Sequence, residues 1–160
     1  MSFQTTDLCD ANEDKVRVVE PVFRAYGGNI VFHGQIATVK VFEDNVLVRQ
    51  ILSEAGNGRV LVVDGGGSLR CALVGGLIAQ LAQKNRWSGI IVFGCIRDLA
   101  EVNATAIGLR ALNTHPLKSM KKGAGNCNIA VTFAGVTFVP GQYVYADENG
   151  IIVSPVDLTP

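Results

Sequence analysis

Apolar residues along the chain change their spacing several times, and each change marks an element. Residues 1–15 are mostly polar, with Thr5-Thr6-Asp7 placed to cap a short helix through Cys9 and Ala11. Val16 to Phe23 carries apolar clusters broken by Pro21 and fits neither a helical nor a strand period, and Gly27-Gly28-Asn29 is a turn. Ile30 to Val41 reads as a strand, its alternation clearest from Gln35, with Gly34 suggesting a bulge or bend. Asp44-Asn45 opens a helix to about Ala55 with Val46, Leu47, Ile51 and Leu52 as its buried stripe, and Gly56-Asn57-Gly58 ends it.

The centre of the chain has the pattern of a βαβ unit. Val60 to Asp64 is a short β-branched run, Gly65-Gly66-Gly67 follows, a helix extends to about Lys84, and Gly89 to Phe93 is a second apolar run. Arg97-Asp98 comes just after it, at the carboxyl end, where open α/β sheets place their ligands. Leu99 to Ile107 looks helical, Leu109 to Leu112 is a short strand, and Pro116 to Asn126 is a polar, glycine-bearing loop. The last third is β: Ile129–Phe133, Val136–Val139, Tyr143–Ala146 and Gly150–Val153, with turns at Ala134-Gly135, Pro140-Gly141 and Asp147 to Gly150. This layout predicts one domain over residues 1–160, an α/β core continued into an antiparallel β layer.

Composition narrows the function classes. At 160 residues the chain can bury roughly two-thirds of its unfolded surface. A hydrophobic content of 48% and a mean hydropathy of +0.29 predict further apolar burial between subunits. Fourteen basic and fourteen acidic residues cancel, so no broad positive field is available for direct nucleic-acid binding. No apolar run has the length of a membrane span and the start is not a signal peptide, which together predict a cytoplasmic protein. Cys9, Cys71, Cys95 and Cys127 lie 62, 24 and 32 residues apart, and fit reduced, mostly buried thiols better than disulfides or a zinc site.

Three groups carry candidate chemistry. Gly65-Gly66-Gly67 after a strand could expose amides to an anion, but Arg70 stands where a dinucleotide fingerprint needs glycine and no Walker Gly-Lys follows; a tight turn is the competing reading. Gly75-Gly76 sits in the apolar stripe of Val74, Leu77, Ile78 and Leu81. Two glycines inside a helix would cost about 1 kcal/mol each, so either a helix starts there with free N–H groups or the helix packs closely on a neighbour. Arg97 offers a planar fork for a carboxylate and Asp98 a hard oxygen ligand for Mg²⁺ or Mn²⁺; an exposed ion pair is the alternative. His33 and His115 cluster with no cysteine or carboxylate, and Trp87, Tyr143 and Tyr145 suit a core or interface.

Val62 to Ser68, the Gly89–Asp98 strand with its Arg-Asp, and Tyr145 to Val153 together resemble the RraA-like family, which includes the regulator of ribonuclease activity A and the 4-hydroxy-4-methyl-2-oxoglutarate aldolases. Thr6 to Asp10 and Val18 to Pro21 look like the regulator branch. The resemblance implies an α/β/β sandwich of swivelling-domain type, in a homotrimer with sites at subunit interfaces. It also implies class II, metal-dependent cleavage of 2-oxo acids to pyruvate, with oxaloacetate decarboxylation as a side activity. Carried over, backbone amides of Gly75, Gly76, Leu77 and Ile78 hold the substrate, Arg97 clamps its carboxylate, and Asp98 binds the divalent cation. The family's aldolases carry an acidic residue twenty-one positions before the arginine; here that position is Gly76, which leaves the general-base role without an owner. Set beside that family, the sequence is expected to do without the C-terminal extension by which some longer homologues complete the neighbouring site. The resemblance therefore implies two functions: a metal-dependent lyase, or a regulator that binds RNase E with little catalysis.

Overall fold

The computed structural model describes residues 2–159. In chain order the elements are α1 (Thr5–Ala11), β1 (Arg17–Val18), β2 (Arg24–Tyr26), β3 (Phe32–Lys40), α2 (Val46–Leu52), β4 (Val60–Asp64), β5 (Ala72–Val74) and α3 (Gly76–Lys84). They continue as β6 (Gly89–Ile96), α4 (Leu99–Asn103), β7 (Gly108–Thr114), β8 (Asn126–Cys127), β9 (Val131–Phe133), β10 (Val136–Phe138), β11 (Tyr143–Asp147) and β12 (Gly150–Ser154). One curled sheet runs β1-β12-β11-β3-β4-β6-β7-β2, with β5 on β6 and β8 on β3, and β9-β10 form a separate hairpin. No helix among the described residues is long and apolar enough to cross a membrane.

The parallel strands explain why their runs are continuously apolar. Leu61, Val63, Ile90 and Val92 point to one face and pack with Val48, Leu52, Ala79 and Ala82 from α2 and α3. Val60, Val62 and Ile91 point to the other face and pack with Phe133, Phe138, Val144 and Val153. Successive residues of a strand alternate between faces, so a strand buried on both sides must be apolar throughout. The result is three layers, helices over a mixed sheet over a β layer: the α/β core with an antiparallel β layer that the sequence predicts, and the α/β/β architecture that the family resemblance implies. A lone two-stranded hairpin is marginal in water; β9-β10 is held because Phe133 stacks on Phe93 at 4.7 Å and on Phe138 at 4.6 Å.

The structure corrects several sequence expectations. No helix begins after Gly67: Ala72–Val74 is a strand paired with Cys95 and Ile96, and α3 begins only at Gly76. Val74 therefore belongs to a buried strand, and Leu77, expected in the helical stripe, is 71% exposed. Strand β6 runs on to Ile96 and α4 stops at Asn103, because Gly108 to Thr114 is claimed by pairing with β6. Helix α2 is shorter than expected and buries Val48 and Leu52 rather than the whole predicted stripe. Gly34 is no bulge: β3 keeps register with β11 through it, and a Cβ there would strike the Gly58 carbonyl. Thr5 does not cap α1; its N–H and hydroxyl donate to the two oxygens of Asp147, both at 2.7 Å. All four cysteines are free, with Cys71 and Cys95 buried and Cys127 exposed.

Candidate functional site

Three peptide segments meet at the carboxyl end of β6. The first is the turn from β5 into α3. Gly75 precedes the helix with extended backbone (φ −126°, ψ −167°), and the first amide to bond within α3 is that of Ala79, on the Gly75 carbonyl. The amides of Gly76, Leu77 and Ile78 thus precede the helical ladder, at the positive end of the helix dipole.

The second segment is Arg97-Asp98, after β6. The Arg97 N–H donates to the Val74 carbonyl at 2.9 Å, which continues the β5-β6 pairing and holds the two segments side by side. Asp98 adopts the left-handed conformation (φ 59°, ψ 51°), which costs a non-glycine residue about 1 kcal/mol or more but is tolerated best by Asp and Asn. Its place before α4, with Glu101 three residues on, reads like a capping box. The twisted backbone instead turns the carboxylate away from α4, and Oδ2 accepts the Gly76 N–H at 3.0 Å. Asp98 therefore caps the neighbouring helix α3. A Cβ on Gly75 would lie 2.6 Å from that same oxygen, so the close approach requires glycine. Arg97 forms no ion pair with Asp98; among the described residues the ion pair present is Arg70–Glu43, at 2.6 Å. The two side chains instead line one cleft.

Glu101, on the first turn of α4, was missed by sequence reasoning. A Cβ on Gly76 would sit 2.8 Å from Glu101 Cβ, 2.9 Å from its Cδ and on top of Oε2. The carboxylate of Glu101 thus occupies the space that any side chain at position 76 would need. Its spacing of three from Asp98 is the only signal for it in the sequence.

The third segment, residues 116–124, is laced onto the cleft by long-range bonds. The Ala72 N–H donates to the Leu117 carbonyl (2.8 Å) and the Met120 N–H to the Glu43 carbonyl (2.8 Å). Buried Asp44 accepts from the amides of Lys122 (2.9 Å) and Ala124 (3.3 Å) with Oδ2, and from Val46 (3.0 Å) with Oδ1. Burial pushes the Asp44 carboxyl up, but the backbone amides that bond its charged form outweigh this and hold it below the usual carboxylate range. Asn45 donates to the Leu73 carbonyl at 3.0 Å and accepts from Lys121 Nζ at 2.6 Å.

The cleft so enclosed measures about 250 Å³ and includes Asn45, Arg49, Gly75, Leu77, Arg97 and Asp98 in its walls, with Lys118, Ser119 and Lys121 from the third segment. That is small beside sites for drug-sized ligands and suits a small acid. The other sequence candidates stay outside it. Gly65-Gly66-Gly67 is a tight turn with φ of 69° and 74° at its last two glycines, packed against Leu73, Phe42 and Phe93. His33 stacks on Tyr145 with ring centroids 5.6 Å apart, and His115 Nδ1 accepts the Leu117 N–H at 3.1 Å. Trp87 and Tyr145 are core residues and Tyr143 is half-buried.

The chain is matched over residues 5–153 by the RraA-like family, described as Aldolase/RraA. A protein of Aromatoleum aromaticum, provisionally named 4-hydroxy-4-methyl-2-oxoglutarate aldolase, is 60% identical over 99% of both chains. The crystal structure of a Geobacillus kaustophilus protein, described as an S-adenosylmethionine:2-dimethylmenaquinone methyltransferase, is 50% identical over 98% of this chain and 97% of that one, with a TM-score of 0.96. The RNA-processing inhibitor RraA of Thermus thermophilis is 43% identical over 99% and 96%, also with a TM-score of 0.96. The chain therefore belongs to the RraA-like family.

Proposed function

We propose that the protein is a class II lyase that uses a divalent cation to cleave 4-hydroxy-4-methyl-2-oxoglutarate to pyruvate and to decarboxylate oxaloacetate through the same pyruvate enolate. The observation that supports this most is the meeting of a helix N-terminus, a guanidinium and two carboxylates: Arg97 and Asp98 in one small cleft, with Glu101 against Gly76. The name shared by the 60%-identical relatives agrees with it.

The donor set fits Mg²⁺ or Mn²⁺. Among the described residues no group of three or more His, Cys, Asp and Glu side chains is disposed to enclose a metal ion. Mg²⁺ needs no such cage; it takes one or two carboxylates and completes its shell with water and substrate oxygens. Asp98 would bind it, directly or through water, with Glu101 beside it. A cation held there would withdraw electrons from the keto oxygen as the C–C bond breaks. The amides of Gly75, Leu77 and Ile78 and the Arg97 fork would orient the carboxylate and keto oxygen of the substrate; the fourth amide, of Gly76, already donates to Asp98. Glu101 would accept the proton from the C4 hydroxyl, so that the C3–C4 electron pair passes to the enolate and the second pyruvate leaves. Oxaloacetate loses CO₂ without that proton transfer, so its decarboxylation needs Arg97 and Asp98 but not Glu101.

A homotrimer with sites at subunit interfaces belongs to the same reading, supported by exposed Leu77, Leu117 and Met120 on segments that border the cleft. The test is pyruvate release from both substrates with Mg²⁺, Mn²⁺ or EDTA, for wild type and Asp98→Ala. Turnover that survives EDTA, or survives in the variant, sinks the metal assignment. A second reading, a cytoplasmic regulator that binds RNase E, is favoured by Gly76 and by the 43%-identical RNA-processing inhibitor. Silence on both substrates, with capture of purified RNase E, would select it.

A further inference from the structure

A second cavity shares no wall residue with the cleft. It measures about 430 Å³ and lies where β1 and β2, the end strands of the curled sheet, meet the turn between β11 and β12. That is the position of a barrel mouth, a common place for small ligands. Arg110 of β7 is 3% exposed and still lines this space. Its Nη2 donates to the carbonyls of Ile30 (2.7 Å) and Asp147 (3.2 Å), and its Nη1 to that of Leu109 (3.4 Å). The guanidinium also lies over the Phe32 ring, 5.1 Å from its centroid. These bonds use three of the five N–H donors of the side chain and bring no counter-charge. Among the described residues the ion pair present is Arg70–Glu43, and both oxygens of the nearby Asp147 carboxylate are committed to Thr5 and the Asn149 amide. Burial pushes the Arg110 guanidinium toward its neutral form, Asp147 and Glu148 oppose this, and arginine stays charged. A buried cation without a partner anion is costly.

The rest of the wall decides which anion suits it. Val18, Pro21, Phe23 and Ile151 are apolar, whereas Glu20 and Glu148 are exposed acids whose side chains make no hydrogen bond within the described residues. A simple anion would meet both carboxylates, but a zwitterion can satisfy the cation and the acids together. We propose that this cavity binds a free α-amino acid with an apolar side chain. Its carboxylate pairs with Arg110, its ammonium faces Glu148 and Glu20, and its side chain lies against Val18, Pro21, Phe23 and Ile151. The site is independent of the cleft and stands whether or not the protein is a lyase. Each charged end of the ligand makes a charge-assisted contact, so removing either charge costs about tenfold or more in affinity.

The probes are L-leucine, N-acetyl-L-leucine, which keeps the carboxylate but loses the ammonium, and 3-methylbutylamine, which keeps the ammonium but loses the carboxylate. Each is titrated calorimetrically. Wild type should bind L-leucine with a Kd of about 1 mM or tighter, and each truncated probe about tenfold or more weakly. In Glu20→Gln/Glu148→Gln, which removes no hydrogen bond of the fold, L-leucine should weaken by about threefold or more while N-acetyl-L-leucine does not weaken. Arg110→Gln should lose binding of L-leucine; if that variant melts early, the glutamate variant carries the test. Arg97→Lys, altered only in the cleft, should bind L-leucine within about twofold of wild type. No saturable binding of L-leucine below about 10 mM, equal affinity for L-leucine and its N-acetyl form, or an unchanged glutamate variant would overturn the site. So would binding retained by a folded Arg110→Gln, or binding lost in Arg97→Lys, which would place the ligand in the cleft.

Discussion

Glu101→Gln separates the two reactions assigned to this cleft. Gln has the shape of Glu and keeps the space beside Gly76 filled, so the turn into α3 and the Asp98–Gly76 bond should be undisturbed. What it removes is the ability to take a proton. A positioned general base contributes about 10²- to 10⁴-fold, or about 3–5 kcal/mol of barrier. Cleavage of 4-hydroxy-4-methyl-2-oxoglutarate should therefore lose about that factor in kcat. Oxaloacetate decarboxylation has no hydroxyl proton to remove, and should fall by less than about tenfold, the margin set by any charge Glu101 contributes toward the cation. Both rates are read by coupling released pyruvate to lactate dehydrogenase, with saturating Mg²⁺ so that weakened cation binding is not mistaken for lost proton transfer. Equal losses in the two reactions would show that Glu101 acts through the cation or the fold. Unchanged cleavage would show that the proton leaves by another route, and the proton-transfer role of Glu101 would be refuted.

Asp98→Ala removes the proposed cation ligand and the cap of α3 together. It should abolish cation-dependent turnover and cost roughly 1–2 kcal/mol of stability, seen as a drop in Tm of a few degrees by circular dichroism. Arg97→Lys keeps the charge but loses the planar fork, so KM for both substrates should rise about tenfold or more while the Tm stays within about 2 °C of wild type. Asp44→Ala orphans three amide bonds and should cost about 2–4 kcal/mol, with a matching rise in KM as residues 116–124 loosen. Because the folded Asp44 carboxyl lies below its unfolded value, its contribution is present above about pH 4 and is lost as pH falls through the folded value. Denaturation of wild type and Asp44→Asn should therefore differ by a constant amount above about pH 5 and converge in acid; a gap that widens in acid would show that the sign is wrong.

Much of the fold is written locally. Val60–Asp64 and the run from Gly89 must be buried strands, since their continuous apolar residues, most of them β-branched, suit a sheet covered on both faces, and the structure sends alternate residues to two separate cores. The four C-terminal strands were legible for a related reason: turn residues such as Ala134-Gly135, with φ of 49° and 79°, fix where each hairpin reverses. The sequence also determined that Arg97 and Asp98 stand at the carboxyl end of a parallel strand, because strand and charged pair are adjacent in the chain. Tertiary structure decided the rest. Ala72–Val74 became a strand because Cys95 and Ile96 offered it a ladder, which outweighs the weak preference of a short apolar run for a helix. Glu101 reads locally as a solvated helix residue and gains its meaning only from facing Gly76. Lys118, Ser119 and Lys121 read as a polar loop until Asp44 and Asn45, more than seventy residues earlier, fasten that loop to the cleft. Periodicity and turn chemistry act within a few residues and can be read off the chain; a site assembled from distant segments depends on which of them pack together, and only the folded chain fixes that.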